Sequence, residues 1–295
     1  MRPFFENNVL QQQPFKPMII VVDTTKAGSA SNTFVLPIIK ATTETVKIYW
    51  GDGTNSTGVN GNNTHVYAAS GIYTIKIESR LFGGIYFNNL GDKAKITKIA
   101  NYGQGVSRLN IGSFYGCSSL LSIAIGNIVS NGADATNQYR GCTALTTVPL
   151  FNLSSVTDAS AMFAYCPVTT VPLFNLSNCT RTWSMFYECT ALTTVPLFNL
   201  SSVTDAFAMF YGCASLTTVP LLNLSSVTDA RYMFSGVTLT TQSYSDFLVN
   251  LATLSLKSGV SFHGGNSKYN PAAAIARAYL ISNFGWTITD GGAAP

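Results

Sequence analysis

Residues 145–166 read LTTVPLFNLSSVTDASAMFAYC, and three more copies follow: VTTVPLFNLSNCTRTWSMFYEC at 168–189, LTTVPLFNLSSVTDAFAMFYGC at 192–213 and LTTVPLLNLSSVTDARYMFSGV at 216–237. The period is 23 or 24 residues, marked by Pro149, Pro172, Pro196 and Pro220 and by Met162, Met185, Met209 and Met233. A period in the twenties predicts a solenoid, because so short a unit buries its apolar face only by stacking on the next. Within a unit, Thr-Thr-Val-Pro-Leu-Phe reads as a short strand whose proline sits where the ladder needs no donor. Asn152, Asn175, Asn199 and Asn223 form a column expected to bond from turn to turn. Ser154, Ser155 and their equivalents would cap a short helix through Asp-Ala-x-x-Met-Phe. Leu153, Val156, Met162, Phe163 and Cys166 are expected to point inward.

Core columns repeat unchanged between copies, so a working surface is sought where a column varies. One such column holds Ser160, Trp183, Phe207 and Arg231, and four residues on a second holds Ala164, Tyr187, Tyr211 and Ser235. Positions i and i+4 share a helical face, so Trp183 with Tyr187 and Phe207 with Tyr211 would make an aromatic strip. Asp158, Arg181, Asp205 and Asp229 run beside it. The candidate ligand-binding set is therefore Trp183, Tyr187, Phe207, Tyr211, Arg231 and Arg181. It would face sugar rings or a partner protein, since Trp and Tyr dominate interface hot spots. The competing reading makes the strip extra core, buried under a neighbouring loop or subunit.

The 295 residues are 46% hydrophobic but only 10% charged, against about 25% in ordinary soluble domains. Ser, Thr, Asn and Gly must supply the polar surface, which suits an extracellular or virion protein. The net charge is +4 with no Lys/Arg run, which argues against nucleic acid as a partner. The first apolar run, Met18 to Val22, is five residues long, short of a signal peptide's core and of a membrane span. The expectation is either a mature form of a longer precursor or a chain that never uses that export route, such as a phage structural protein released by lysis. Membrane insertion is not expected. Cys117, Cys142, Cys166, Cys189 and Cys213 fall one per turn where the last copy has Val237, and Cys179 stands in the column of Val156, Val203 and Val227. A slot that accepts Cys or Val is apolar, so buried, reduced thiols are expected rather than disulfides. With no CxxC pair and two distant histidines, neither a metal nor another cofactor is expected. No nucleophile–base–acid set is visible, which reads as no enzyme.

Residues 1–17 contain Pro3, Pro14 and Pro17 together with the apolar anchors Phe4, Phe5, Val9, Leu10 and Phe15. They read as a loose arm or as one that orders against other virion proteins. From Met18 to about Ser79, short β-branched and aromatic runs separated by Gly/Asn/Ser clusters read as a small β-sandwich. Here Trp50-Gly51-Asp52-Gly53-Thr54, His65-Val66-Tyr67 and Gly71-Ile72-Tyr73-Thr74-Ile75 resemble the polycystic-kidney-disease-type (PKD) domain family. That resemblance implies a non-catalytic spacer or binding module. Asp52 reads as a turn-capping residue rather than a calcium ligand, and His65 as a hydrogen-bonded strand residue with no acid spaced near it.

Phe114–Cys117 and Tyr139–Cys142 are degenerate copies of the unit's last four residues. The clean copies, each but the last ending in Met-Phe-x-x-Cys, resemble BspA-like leucine-rich repeats of bacterial surface proteins. Residues 243–248, 264–269 and 285–292 resemble the cap attached to such repeats in phage and bacterial surface proteins. Asn270 and Pro271 mark the start of a helix in it.

The expected fold is mixed β and α/β: an N-terminal arm (1–17), a PKD-like β-sandwich (18–82), a linker with atypical first repeats (83–144), a leucine-rich-repeat solenoid (145–238) and a C-terminal α/β cap (239–295). The expected function is that of a non-catalytic bacteriophage virion surface protein, a tail-fibre, receptor-binding or capsid-decoration component. It would form a homo-oligomer and bind host surface glycan or protein. The alternatives are a bacterial cell-surface or secreted adhesin, and a purely structural virion cement.

Overall fold

Alternation of apolar and polar residues puts one face of each N-terminal strand into a core. In β1 (Met18–Asp23) the buried residues are Met18, Ile20 and Val22, and in β2 (Thr33–Lys40) they are Phe34, Leu36 and Ile38. This is the period of two that a pleated strand imposes. The computed structural model describes residues 16–40, 43, 45–79, 82–103, 112–124 and 134–295. Phe4, Phe5, Val9, Leu10 and Phe15 of the expected arm lie outside the described residues.

Five more strands follow in the N-terminal part: β3 (Val46–Tyr49), β4 (Asn55–Gly58), β5 (Gly61–Val66), β6 (Ile72–Glu78) and β7 (Phe82–Ile85). After one 3-10 turn at Lys93–Lys95 come β8 (Ile96–Tyr102) and β9 (Ser122–Ile123). One sheet has six strands in the order β4-β3-β6-β1-β8-β9, and a second has three in the order β5-β2-β7. The first is antiparallel except at β8 and β9, which run parallel. A buried ion pair ties the two sheets at one end. The Lys95 ammonium is fully buried and donates to the carbonyls of Ser29, Ala30 and Thr33 at 3.0, 2.9 and 2.7 Å. Asp92, 3.7 Å away, accepts from the Ser29 and Val35 amides at 2.6 and 2.7 Å. Every donor of the cation is thus met, the condition for burying it.

The first sheet runs on into the repeats. Leu121 N donates to Thr97 O and Ala124 N to Ile99 O at 2.9 and 2.7 Å, and the hydroxyls of Tyr102 and Tyr139 hydrogen-bond in the interior. A single apolar core runs from Met18 to Trp286.

Across residues 145–238 no helix and no extended strand is present; the chain makes turns joined by single-residue parallel bridges at Asp134, Asp158, Arg181, Asp205 and Asp229. Alternate amides bond sideways to the next turn. Thr182, Ser184, Phe186 and Glu188 donate to the carbonyls of Asp205, Phe207, Met209 and Tyr211 at 2.7–2.9 Å. The amides between them close local turns: Met185 to Thr182 O, Tyr187 to Ser184 O and Cys189 to Phe186 O. The expected helix fails because left-handed residues recur inside it, Ala161 (φ 51°), Ser184 (φ 54°), Ala208 (φ 51°) and Tyr232 (φ 58°). No right-handed helix holds such residues.

Two smaller expectations fail with it. Ser154 and its equivalents cap nothing. Among the described residues the Asn column does not bond across turns: Asn152, Asn175, Asn199 and Asn223 each accept from the amide two residues on, at 2.9–3.2 Å. This is the local turn that asparagine favours over a ladder. Threonines join the turns instead, with Thr180 N to Thr157 O, Thr204 N to Thr180 O and Thr228 N to Thr204 O at 2.8–2.9 Å.

The expected fold is accordingly corrected. A PKD-like sandwich, a leucine-rich-repeat solenoid and an α/β cap do not describe this chain. Among the described residues it is a mixed, β-rich fold of three sheets and two helices, with no closed barrel and no strand-plus-helix repeat.

Leu153, Val156, Met162, Phe163 and Cys166 are fully buried. Phe114, Tyr139, Phe163, Phe186, Phe210 and Phe234 stack in one column, with centroids 5.4–5.9 Å apart and planes within 10°. All six thiols are free and buried. The sulfurs of Cys142, Cys166, Cys189 and Cys213 donate to the carbonyls of Phe114, Tyr139, Phe163 and Phe186 at 3.1–3.3 Å. Burial pushes the Cys179 and Cys213 thiols up to about 11 and about 12.

The C-terminal residues close the column. Helix α1 (Thr241–Leu251) and helix α2 (Pro271–Phe284) flank the parallel pair β10 (Ser261–His263) and β11 (Thr287–Thr289). Asn270 caps α2 through the Ala273 amide, and Pro271 opens it. Phe247 and Phe262 cover the last ring, Phe234, edge-on. Gly265 (φ 71°) allows the crossing, since a Cβ there would lie 2.2 Å from the Val237 carbonyl oxygen.

Two stability measurements check this account. Lys95→Met leaves the Asp92 carboxylate buried without its cation, so chemical denaturation should show a loss of about 3–5 kcal/mol. Phe186→Ala opens a gap in the middle of the ring column and should cost about 3–5 kcal/mol by the same assay.

Candidate functional site

The segment from the bridging residue to the cysteine is held straight by its sideways hydrogen bonds, so its outward side chains stand in register from turn to turn. Trp183 and Phe207 are one turn apart, with centroids 6.3 Å apart and planes tilted by 59°. Trp183 is 47% exposed, Phe207 is half-buried and Arg231 is exposed. With Asp205 and Asp229 these three line an open groove of about 280 Å3.

Arg231 grips Asp229 with Nε at 3.1 Å from Oδ1 and Nη2 at 2.7 Å from Oδ2. Its guanidinium lies over the Phe207 ring, 5.3 Å from the centroid. The hydrogen bond from Arg231 holds the Asp229 carboxyl below its usual range despite partial burial. One turn back, Arg181 Nη1 donates to Asp158 Oδ2 at 3.0 Å. Both arginines are thus tied to carboxylates. Asp205 Oδ1 accepts from the Phe207 amide at 3.0 Å, while its Oδ2 has no hydrogen-bond donor among the described residues.

The six residues singled out in the sequence fall into two groups. Trp183, Phe207 and Arg231 share the groove, with Arg181 beside it on the turn before. Tyr187 and Tyr211 lie in a separate file, stacked on each other at 4.6 Å and 2°. Each gives one face to the other, and Tyr165 meets Tyr187 at a tilt, 5.4 Å between centroids. The shared helical face proposed for the strip does not exist, because no helix forms there; the grouping comes from stacked turns 24 residues apart. Ser160, in the Trp183 column, is buried.

Several neighbours carried no signal in the repeat alignment. Tyr165 stands one residue off the tyrosine column, yet it sandwiches Arg140 with Tyr115, the guanidinium lying 5.5 and 5.4 Å from the two rings. Tyr232 meets Phe207 edge-on at 5.5 Å. Leu150, Leu173 and Leu197 are each 58% exposed, and Leu221 is 50% exposed. The neighbour that follows each, Phe151, Phe174, Phe198 or Leu222, takes the interior.

A second polar group sits in the N-terminal part. His65 Nε2 lies 2.7 Å from Asp52 Oδ2, correcting the expectation that His65 has no acid near it. Asp52 Oδ1 accepts from the Thr54 amide and hydroxyl at 3.0 and 2.6 Å. The imidazole stacks on Trp50 at 4.7 Å and meets Tyr67 edge-on at 4.5 Å. Partial burial raises the Asp52 carboxyl, but hydrogen bonds from Thr54 and His65 outweigh it and hold it at about 2. The group braces a turn as expected of Asp52, with no nucleophile aimed at a cavity. Among the described residues no cluster of three His, Cys, Asp or Glu could hold a metal ion, and no helix is long and apolar enough to cross a membrane.

Residues 133–247 match a family described as "Mycoplasma protein of unknown function, DUF285". The match covers the stacked turns and part of α1, under half of the chain, and its description assigns no activity. No curated protein and no solved structure matches.

The Asp52 pair has a pH signature. A carboxyl held below its unfolded value of about 3.9 stabilises the fold above that pH, and the contribution is lost as pH falls through about 2. Asp52→Asn should therefore lower the melting temperature at pH 7, with the gap to the parent closing between pH 4 and pH 2. A gap independent of pH in thermal melts would show that the carboxylate's charge does not matter.

Proposed function

We propose that this chain is a non-catalytic surface component of a bacteriophage virion, a tail-fibre, receptor-binding or decoration protein that contacts the host surface through the Trp183–Phe207–Arg231 groove. The observation that carries the reading is the half-exposed Trp183 indole, held in a fixed groove by turns whose backbones bond to one another. Trp and Arg are the residue types enriched where interfaces concentrate their binding energy, and here they stand side by side around Phe207. A surface poor in charge and rich in Ser, Thr and Asn supports a place outside the cell. Individual contacts in a shallow groove are weak, and display in many copies multiplies them.

A structural cement is the second reading, favoured by the exposed Leu150, Leu173, Leu197 and Leu221 column, an apolar ridge of the kind subunits bury. Adsorption of the labelled protein to a panel of Gram-positive and Gram-negative cells separates the two. Trp183→Ala with Phe207→Ala should abolish adsorption and leave the circular dichroism unchanged; retained adsorption sinks the groove reading. Immunogold labelling of purified phage particles checks the location, and unlabelled particles reject it.

A further inference from the structure

We propose that the groove takes a neutral, extended glycan, whose sugar rings lie on Trp183 and whose hydroxyls donate to Asp205; the inference rests on the surface-binding reading above. Three features of the groove select this ligand class. The first is an open aromatic face. Trp183 and Phe207 are tilted by 59° rather than stacked, so the indole keeps a face for the apolar C–H side of a pyranose. Arg231 lies over Phe207, and Tyr187 and Tyr211, stacked on each other, do not line the groove.

The second feature is charge. Arg181 and Arg231 are both bonded to carboxylates, and Asp205 is in no ion pair among the described residues. Uronic or sialic acids would meet the unpaired carboxylate without a free cation to receive them. A quaternary ammonium would meet the Arg231 guanidinium in one wall, and the open groove lacks the enclosure of an aromatic cage. Sugar hydroxyls suit Asp205 Oδ2, a charge-assisted acceptor.

The third is shape. At about 280 Å3 the groove is at the small end of small-molecule sites. It is open to the surface rather than enclosed, so a chain longer than the groove can extend beyond it.

The protein reports on its own groove. Trp50 and Trp286 are 2% exposed, whereas Trp183 is 47% exposed, so emission shifts from a polar ligand single out Trp183. The full chain is titrated with maltohexaose, cellohexaose and N-acetyl-chitohexaose, and with hexagalacturonate and choline as charged counterparts. A saturable shift with one or more neutral hexaoses, and none with hexagalacturonate or choline, is expected. By calorimetry Asp205→Ala should weaken the responding hexaose about tenfold, in line with one hydrogen bond to a charged group. Because Asp205 also caps the Phe207 amide, Trp183→Leu is the second variant; it keeps an apolar side chain beside Phe207 and should remove binding.

No response to any neutral hexaose overturns the proposal, as does a response to hexagalacturonate or choline in its place, or hexaose binding that survives Trp183→Leu. Cell adsorption of the same Trp183→Leu protein tells the two readings apart. Adsorption lost on this substitution, with no hexaose response, overturns the glycan and leaves the surface-binding reading standing. Adsorption that persists overturns the surface-binding reading, and the hexaose titration then decides the glycan by itself.

Discussion

Backbone hydrogen bonds between successive turns hold this structure together. Alternate amides from Thr182 to Glu188 donate to the turn ahead, and those of Ala206, Ala208, Phe210 and Gly212 repeat the pattern into Asp229, Arg231, Met233 and Ser235 at 2.8–2.9 Å. A buried amide must find a partner, and in these segments half of the partners belong to another unit. No turn is therefore complete by itself. Left-handed residues stand at two of the four sideways-donating positions in a turn, Ser184 and Glu188 in one and Ala208 and Gly212 in the next. The one- and two-residue joints after Cys166 and Cys189 absorb the difference between periods of 23 and 24, leaving the bonded segments in register.

Register then arranges the side chains. One inward position becomes the ring column from Phe114 to Phe234, another the row of thiols bonded to carbonyls of the turn before. Outward positions are free to differ, and the groove lies where Trp183, Phe207 and Arg231 follow one another in successive copies, after a buried Ser160 in the first. Because the backbone beneath them is bonded on both sides, these side chains are presented with little ordering left to do on binding, which favours affinity from few contacts.

A stack has two open ends, and regular structure covers both. At the first, β8 pairs with β9, and Tyr102 reaches Tyr139 under the ring column. The Lys95–Asp92 pair fixes the sheets behind them. At the second, Phe247 and Phe262 cover Phe234, and Arg277 holds Asp290 at 2.8 Å beneath Tyr244. Terminal units that differ from the repeats are what such a core requires, since an uncovered ring would face water.

Much was legible in the residues alone. The period, the inward set Leu153, Val156, Met162, Phe163 and Cys166, the apolar cysteine slots and the Asn270–Pro271 helix start all follow from side-chain chemistry repeated at fixed spacing. So does the choice of Trp183, Phe207 and Arg231 as outward residues. The absence of a helix did not show, because Ala161, Ser184 and Ala208 are ordinary residues with no mark of a left-handed backbone. Nor did the separation of Trp183 from Tyr187, the pairing of His65 with Asp52, or the extension of the first sheet into β9. A sequence pattern reports which side chains avoid water. Which carbonyl each amide reaches, 22 to 25 residues away, is decided only when the turns close on one another and every buried donor must be met at once.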